Sequence, residues 1–172
     1  MADTGSSVIA PEDLEGLPGA PFTQASIDAA VAAVVADCGW HIAPTRQSTV
    51  QVPGGSSLIM LPSLHVTDVV SVKDMESGRE LTGFVWLEKG MIYLRGRAPR
   101  FVEVVFEHGF DEFPDDLRGV VAALASIVKQ GGRITAESLS GHSISIDASE
   151  AASSLQDPIL ARYKVPGGVV SA

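Results

Sequence analysis

The sequence contains a single cysteine, Cys38, so the chain forms no internal disulfide. Small secreted proteins commonly depend on disulfides, and this absence argues against an oxidising compartment. No apolar run approaches the roughly 20 residues of a membrane-spanning helix. The polar, acidic first seven residues lack the basic and apolar parts of a signal peptide. We therefore expect no membrane partner and synthesis in a cytoplasm.

Basic residues are few: 12 Lys and Arg stand against 21 Asp and Glu, giving a net charge of −9 and a pI near 4.7. Nucleic-acid-binding proteins usually carry a basic face that neutralises phosphates, so tight DNA or RNA binding is not expected. The acidity favours solubility, and it would also suit a channel through which DNA slides. Arg95, Arg97 and Arg100 form a small basic cluster that we expect to meet solvent or an acidic neighbouring subunit.

Helical periodicity occurs in two long segments and one short one. A helix is predicted to begin after Thr23, as its N-cap, and to end at Gly39. A second helix is predicted to begin near Pro114, followed by two aspartates, and to stop at Gly131. The apolar faces comprise Ile27, Val31, Val34, Val35 and Cys38 in the first helix, and Leu117, Val120, Val121, Leu124, Ile127 and Val128 in the second. A short last helix is marked by Leu155, Ile159, Leu160 and Tyr163.

Strand patterns fill the region between the two long helices. Residues 49–52 and 57–61 flank Pro53-Gly54-Gly55, which predicts a β-hairpin. Short connections favour antiparallel pairing of the remaining strands, at 66–73, 84–87, 91–94 and 101–106. The predicted class is α+β, a small helical core with an inserted antiparallel β-meander.

The domain organisation follows from the same pattern. Residues 1–21 are predicted to be an extended N-terminal lead-in. Residues 22–164 are predicted to form a single domain, whose β-rich insertion spans about 46–107. Residues 165–172 are predicted to be a flexible tail.

Residues with catalytic potential do not form recognisable motifs. Cys38 precedes His41 by three residues, but it lies on an apolar helical face, where a buried structural cysteine is the favoured interpretation. His142, Ser143 and Asp147 supply the residue types of a catalytic triad without a nucleophile-elbow pattern.

Metal-binding and phosphate-binding patterns are also missing. The four histidines, His41, His65, His108 and His142, lack zinc-site spacing. An acidic group at Asp111, Glu112, Asp115 and Asp116 is better explained as a helix start than as a cation site. We predict no catalytic, cofactor-binding or metal-binding residues, no cofactor, and no enzymatic activity.

Several segments, in order, resemble the head-to-tail adaptor (connector) proteins of long-tailed bacteriophages, especially siphophages of actinobacteria. The resemblance covers roughly residues 14–164. Its strongest part is Pro21-Phe22, followed by an alanine-rich helix that ends in Cys38-Gly39-Trp40-His41-Ile42-Ala43-Pro44. Further parts are Leu61-Pro62-Ser63-Leu64, Glu107-His108-Gly109-Phe110, Pro114-Asp115-Asp116-Leu117, Glu137-Ser138-Leu139-Ser140-Gly141-His142-Ser143 and Ile159-Leu160-Ala161-Arg162-Tyr163.

The resemblance implies a structural virion protein of the neck. Such proteins form a ring, usually of twelve subunits, beneath the portal. The ring extends the channel through which genomic DNA passes without specific binding, and it joins the head to a downstream neck or tail protein such as a stopper. The C-terminal segment commonly reaches towards the portal, which makes portal-docking candidates of Leu155, Ile159, Leu160, Tyr163, Val165, Val169 and Val170.

Other interpretations stay open at this stage. The same C-terminal residues would equally suit a role in capping the subunit's own core. The chain as a whole would also suit another phage neck, tail-completion or decoration protein. A small ligand-binding domain is a further alternative, which would require a pocket with converging polar groups.

Overall fold

The computed structural model describes residues 8–96, 98–131 and 158–165. In chain order, the elements are a 3-10 helix Pro11–Leu14, α1 Gln24–Cys38, β1 Arg46–Pro53, β2 Leu58–Met60, β3 Val66–Asp74, β4 Phe84–Leu87, β5 Met91–Leu94, β6 Phe101–His108 and α2 Asp115–Lys129. A further helical segment, α3, covers residues 158–163. The predicted α+β class is confirmed.

The chain divides into two compact units. The helical unit contains, among the described residues, 8–39, 112–131 and 158–165. The sheet unit contains 40–96 and 98–111. The predicted single domain over 22–164 and the flexible tail at 165–172 stay predictions.

In the helical unit, α1 packs against α2. Thr23 caps α1 as predicted, since its Oγ1 accepts a hydrogen bond from the Ser26 N–H, and Gly39 ends the helix in a left-handed conformation (φ 78°). The buried face of α1 contains Ala30 beside Ile27, Val34 and Cys38, whereas the predicted members Val31 and Val35 are half-buried. Alanine and valine surround α1 on all sides, so apolar spacing alone did not identify which side faces inward.

In the sheet unit, six strands form two three-stranded antiparallel sheets. The first has the order β1-β6-β3 and the second has the order β2-β5-β4. The order is therefore not sequential as in the predicted meander, because β6 returns to lie between β1 and β3. We call these the first sheet and the second sheet.

The predicted hairpin around Pro53 is wrong. β1 pairs with β6 along its whole length, from Arg46 opposite His108 to Pro53 opposite Phe101, while β2 pairs with β5. The Gly54 N–H donates to Arg100 O (2.8 Å) and the Gly55 N–H donates to Pro99 O (2.7 Å). These bonds hold the glycine segment against the loop before β6, so the chain passes from one sheet to the other instead of turning back.

Both sheets contribute to one hydrophobic core. The buried cluster combines Val52, Val66, Val69, Val72, Val102, Val104 and Phe106 of the first sheet with Ile59, Ile92 and Leu94 of the second, and with Leu61 after β2. Phe106 is completely buried within it. Burial of aliphatic and aromatic side chains at about 25 cal/mol per Å² supplies the main stabilisation of such a unit.

Candidate assembly surfaces

The predicted portal-docking residues fall into two groups. Leu155, Val169 and Val170 lie outside the described residues. Of the others, Leu160 is almost fully buried (1% exposed), and Ile159, Tyr163 and Val165 are half-buried. The described part of this segment is therefore packed in the helical unit, and Leu160 is not available as a surface contact in this conformation.

Polar contacts fix α3 to the start of α2. The Tyr163 hydroxyl donates to Asp116 Oδ1 (2.8 Å), and the Arg162 guanidinium donates to Asp116 Oδ2 (3.0 Å). Burial, followed by the hydrogen bond to Asp116, raises the pKa of Tyr163 to about 12. The hydroxyl therefore remains a neutral donor to the carboxylate at physiological pH.

Two further contacts join the residues after α3 to the end of α1. Lys164 Nζ lies 3.0 Å from Asp37 Oδ2, and the Val165 N–H donates to Cys38 O (3.2 Å). The second contact satisfies a carbonyl at the C-terminal end of α1, where helices leave such groups without intrahelical partners. The described C-terminal residues thus also support the helical unit.

Cys38 is buried at this helix end. Burial, with a further contribution from the Asp37 carboxylate, raises the pKa of its thiol to about 12. Activation of a nucleophilic cysteine requires a shift in the opposite direction. The structural interpretation of Cys38 is therefore favoured by its electrostatics.

The sheet unit brings together histidines that are distant in sequence. The rings of His41 and His108 lie 5.9 Å apart, and the His65 ring stacks on Phe110 at 4.2 Å. His41 Nε2 lies 2.6 Å from Pro44 O, and His65 Nδ1 lies 2.8 Å from a carboxylate oxygen of Glu88. Sequence spacing did not predict this group, because it forms only when β6 returns to the first sheet.

His108 is the most deeply buried member of the group (4% exposed). Its Nε2 contacts Ser48 Oγ (2.9 Å). Burial, followed by the positive charge of Arg46 and by His41, lowers the pKa of His108 to about 4. The ring is therefore neutral at physiological pH and acts as part of the core.

The acidic group predicted at the start of α2 is used for local contacts. Asp111 accepts a hydrogen bond from Thr45 Oγ1 (2.7 Å), Asp115 pairs with Arg118 (3.2 Å), and Asp116 binds α3. Within the ranges that the structure describes, no three histidine, cysteine or acidic side chains are grouped so as to hold a metal ion. His142, Ser143 and Asp147 lie outside those ranges.

Two surface depressions of the sheet unit are open to solvent. One has a volume of about 310 Å³ and is lined by Arg79, Glu80, Leu81, Thr82, Gly83, Leu94 and Arg95. Another has a volume of about 410 Å³, between β1, Phe101 and the turn after β3. Neither is the largely apolar, enclosed cleft that binds small molecules.

The two sheets have different outer faces. Outward residues of the first sheet are mostly polar, as in Thr49, Gln51 and Lys73. Outward residues of the second sheet are apolar, and Leu58, Met60, Val85, Leu87 and Tyr93 are all exposed. This surface was not predicted from the sequence. A signal was present, because β2, β4 and β5 are uninterrupted apolar runs rather than alternating ones.

The predicted basic cluster is only partly described. Arg95 and Arg100 are exposed, and the Arg100 guanidinium carbon lies 5.6 Å from the centroid of the Phe101 ring. Arg97 lies outside the described residues. Among the residues that the structure places, no helix is long and apolar enough to cross a membrane.

Comparison with known proteins gives a likeness of fold. No protein-family model and no curated protein matches the sequence. A chain from the neck of an empty GTA particle, computed with C6 symmetry, aligns with a TM-score of 0.63 and 16% identity, covering 98% of this chain and 96% of that one. A chain from the neck of a native GTA particle, computed with C12 symmetry, aligns with a TM-score of 0.56 and 17% identity over 84% of each chain. GTA denotes a gene transfer agent, a phage-like particle.

Proposed function

We propose that this chain is a structural subunit of the neck of a phage-like particle, a head-to-tail adaptor. The observation that carries the proposal is the likeness of fold to a neck chain, which extends over 98% of this chain and 96% of the other. A likeness of such extent involves the helical unit and the sheet unit together. It agrees with the adaptor resemblance in the sequence, which rests on separate, ordered segments.

The chemistry of the described residues supports a non-enzymatic role. The Cys38 thiol has a strongly raised pKa. Each of the three histidines makes one polar contact, His41 with Pro44 O, His65 with Glu88 and His108 with Ser48. At the start of α2, Asp115 pairs with Arg118 and Asp116 pairs with Arg162 of α3. These contacts stabilise the fold, and within the described ranges 8–96, 98–131 and 158–165 they leave no set of converging groups of the kind that an active site requires.

The proposed assembly is a homo-oligomeric ring, with twelve subunits as the favoured number. The neck structures that share this fold were computed with C6 and C12 symmetry. Closed rotational symmetry requires each subunit to present two different surfaces to its two neighbours. The net charge of −9 suits a ring whose channel passes genomic DNA without binding it.

The ring would lie beneath the portal protein in the virion, after assembly in the host cytoplasm. A downstream neck or tail protein, such as a stopper, would bind its other side. We propose that the C-terminal segment containing Ile159, Tyr163 and Val165 docks on the portal. Since Leu160 is buried in the helical unit, such docking would use the half-buried residues or a rearranged segment.

Cryo-electron microscopy of intact particles tests the location. We expect density for this chain as a ring directly under the portal, with the symmetry of twelve copies. Density elsewhere in the neck or tail would favour a tail-completion or decoration role. Absence of the chain from the particle would overturn the proposal as a whole.

A portal-binding assay tests the docking segment. Ile159→Asp should weaken capture of the chain by immobilised portal protein, because a charge replaces an apolar contact. Ile127→Asp is a matched control, since Ile127 is also a half-buried isoleucine of the helical unit but lies on α2. Circular dichroism would establish that both variants fold. Equal portal binding by the two folded variants would contradict the docking proposal.

A further inference from the structure

The outer face of the second sheet is built from two rows of apolar side chains. Leu58, Tyr93 and Val85 lie directly opposite one another across β2, β5 and β4. Met60, Met91 and Leu87 form the next row. Directly opposed residues of an antiparallel sheet point to the same side, so all six share one face. We call this set of six residues the apolar face.

The core does not account for these side chains. The alternate positions Ile59, Ile92 and Leu94 already face the core and are 2%, 0% and 7% exposed. Five of the six residues of the apolar face are between 38% and 46% exposed, and Met91 is half-buried. An antiparallel sheet with one face exposed to solvent normally carries polar residues on that face. Contiguous exposed apolar surface of this kind marks an interaction surface.

We infer that the apolar face is a subunit–subunit contact, covered by a neighbouring copy of this chain. This inference rests on the proposed function, because a ring supplies a neighbour to every copy. The structural neighbours belong to necks with C6 and C12 symmetry. In such an assembly every subunit carries the same apolar face. A single type of contact, repeated between each pair of neighbours, covers this face on every copy.

The size of the face agrees with a ring contact. Six residues that are each less than half exposed provide less than the roughly 800 Å² per partner of a stable two-protein interface. A pair of subunits joined by this face alone is therefore expected to be weak. A closed ring gives each subunit two contacts, so weak contacts of this size become effective when they act together.

Charges around the face also favour another copy as the occupant. Lys89 lies in the turn at one end, and Arg95 follows Tyr93 by two residues at the other, where its N–H donates to Gly83 O (2.6 Å). Glu80 and Glu88 are nearby acids, and the Glu88 carboxylate is paired with His65. The helical unit of a neighbouring copy carries exposed acidic side chains at Glu12, Asp13, Glu15 and Asp28, which would suit Lys89 and Arg95 across a contact.

Sedimentation velocity over a wide range of protein concentration tests the inference. The wild-type chain should self-associate as its concentration rises. Val85→Lys should shift this association to concentrations at least about tenfold higher, because a charge is then buried in an apolar contact. Leu87→Gln, a milder change in the neighbouring row, should shift it in the same direction and serves if Val85→Lys does not fold.

Val70→Lys provides the matched control. Val70 is an exposed valine (50%) on β3 of the first sheet, away from the apolar face, and its substitution should leave association unchanged. Equal association of the Val85→Lys and Val70→Lys variants would overturn the inference. A wild-type chain that stays monomeric at every concentration would also overturn it, as would a Val85→Lys variant that associates normally but loses binding to another neck protein.

The outcome is separable from that of the proposed function. Microscopy of particles reports where the chain lies, whatever surface joins its copies. A ring under the portal with an uncovered apolar face would remove the inference and leave the adaptor role intact. Self-association through the apolar face by a chain that is absent from particles would remove the adaptor role and show a contact of another kind.

Discussion

The two sheets of the sheet unit share one core, but their outer faces differ in polarity. The first sheet buries Val102, Val104 and Phe106 on its inner side and shows mostly polar residues on its outer side. The second sheet buries Ile59 and Ile92 inside and shows apolar residues outside as well. Folding of the unit explains the inner faces of both. Packing among the described residues does not account for the outer face of the second sheet, which the proposed contact with a neighbouring copy would cover.

Disruption of the hydrophobic core that the two sheets share should have the largest effect on stability. Phe106→Ala should lower the free energy of unfolding by about 3–5 kcal/mol, because it leaves a cavity among residues of both sheets. Phe101→Ala is a matched control on the same strand, where the ring is 43% exposed, and should cost less than about 1 kcal/mol. Urea unfolding measures both. Similar losses would mean that the two sheets do not depend on a common core.

Gly90→Ala should cause the second-largest loss of stability, by disturbing the second sheet. Gly90 adopts φ 74°, its N–H donates to Leu87 O (3.0 Å), and its carbonyl accepts from the Leu61 N–H (2.7 Å). An added Cβ would collide with the backbone oxygen of Ser63. We expect a loss of about 2–4 kcal/mol in the free energy of unfolding, combining this collision with backbone strain.

Gly78 is the matched control for this substitution. It has a similar positive φ of 69°, but an added Cβ would meet open space. Gly78→Ala should therefore cost only about 1 kcal/mol, the penalty of the left-handed conformation alone. Equal thermal stability of the two variants would show that close approach to Ser63 is unimportant for the hairpin.

Acidification should weaken the first sheet through His108. The pKa of His108 is lowered to about 4 in the folded chain, below its ordinary value of 6.5. The unfolded state therefore binds a proton first as the pH falls, so the contribution of neutral His108 is present above pH 6.5 and is lost between that value and about 4. We expect a loss on the order of 2 kcal/mol in the free energy of unfolding over this range.

His108→Gln isolates this contribution, because glutamine retains a donor for Ser48 and does not titrate. Its unfolding free energy, measured at about pH 7 and about pH 4.5, should change less than that of the wild type. Burial also lowers the pKa of His41, which gives the variant a residual dependence in the same direction. An unchanged pH dependence in the variant would exclude His108 as a source.

The smallest effect on stability should come from exchanging the outer faces. Val85→Thr makes the second sheet more polar, and Thr49→Val makes the first sheet more apolar, at exposed strand positions. Each should alter the free energy of unfolding by no more than about 0.5 kcal/mol. Binding of an apolar fluorescent dye should fall for Val85→Thr and rise for Thr49→Val. Identical dye binding would show that the contrast between the sheets has no effect in solution.

Local patterns predicted the elements well, whereas pairing depended on long-range contacts. The cap at Thr23 and the stop at Gly39 were predictable because each depends on a few adjacent residues. The hairpin around Pro53 was predicted wrongly because a Pro-Gly-Gly segment permits a turn but does not require one. Pairing of β1 with β6 joins residues about 50 positions apart, as in Gln51 and Glu103, which sequence periodicity does not reveal.

The surfaces were less predictable than the elements. The grouping of His41 and His108 results from the return of β6 and has no counterpart in sequence spacing. The apolar face did leave a signal, since β4 and β5 are continuously apolar, but such runs also occur in strands that are buried on both sides. The exposed fractions of Val85 and Tyr93 distinguish these cases.

The single thiol of this chain has a practical consequence for spectroscopy. Cys38 is buried, and its pKa of about 12 leaves almost no thiolate at neutral pH. Maleimide reagents should therefore react with it very slowly. The natural sequence therefore already behaves as a cysteine-free background. A cysteine introduced at exposed Ser57 or Ala29 would carry a fluorophore or spin label alone, which makes distances between subunits measurable without first altering the native chain.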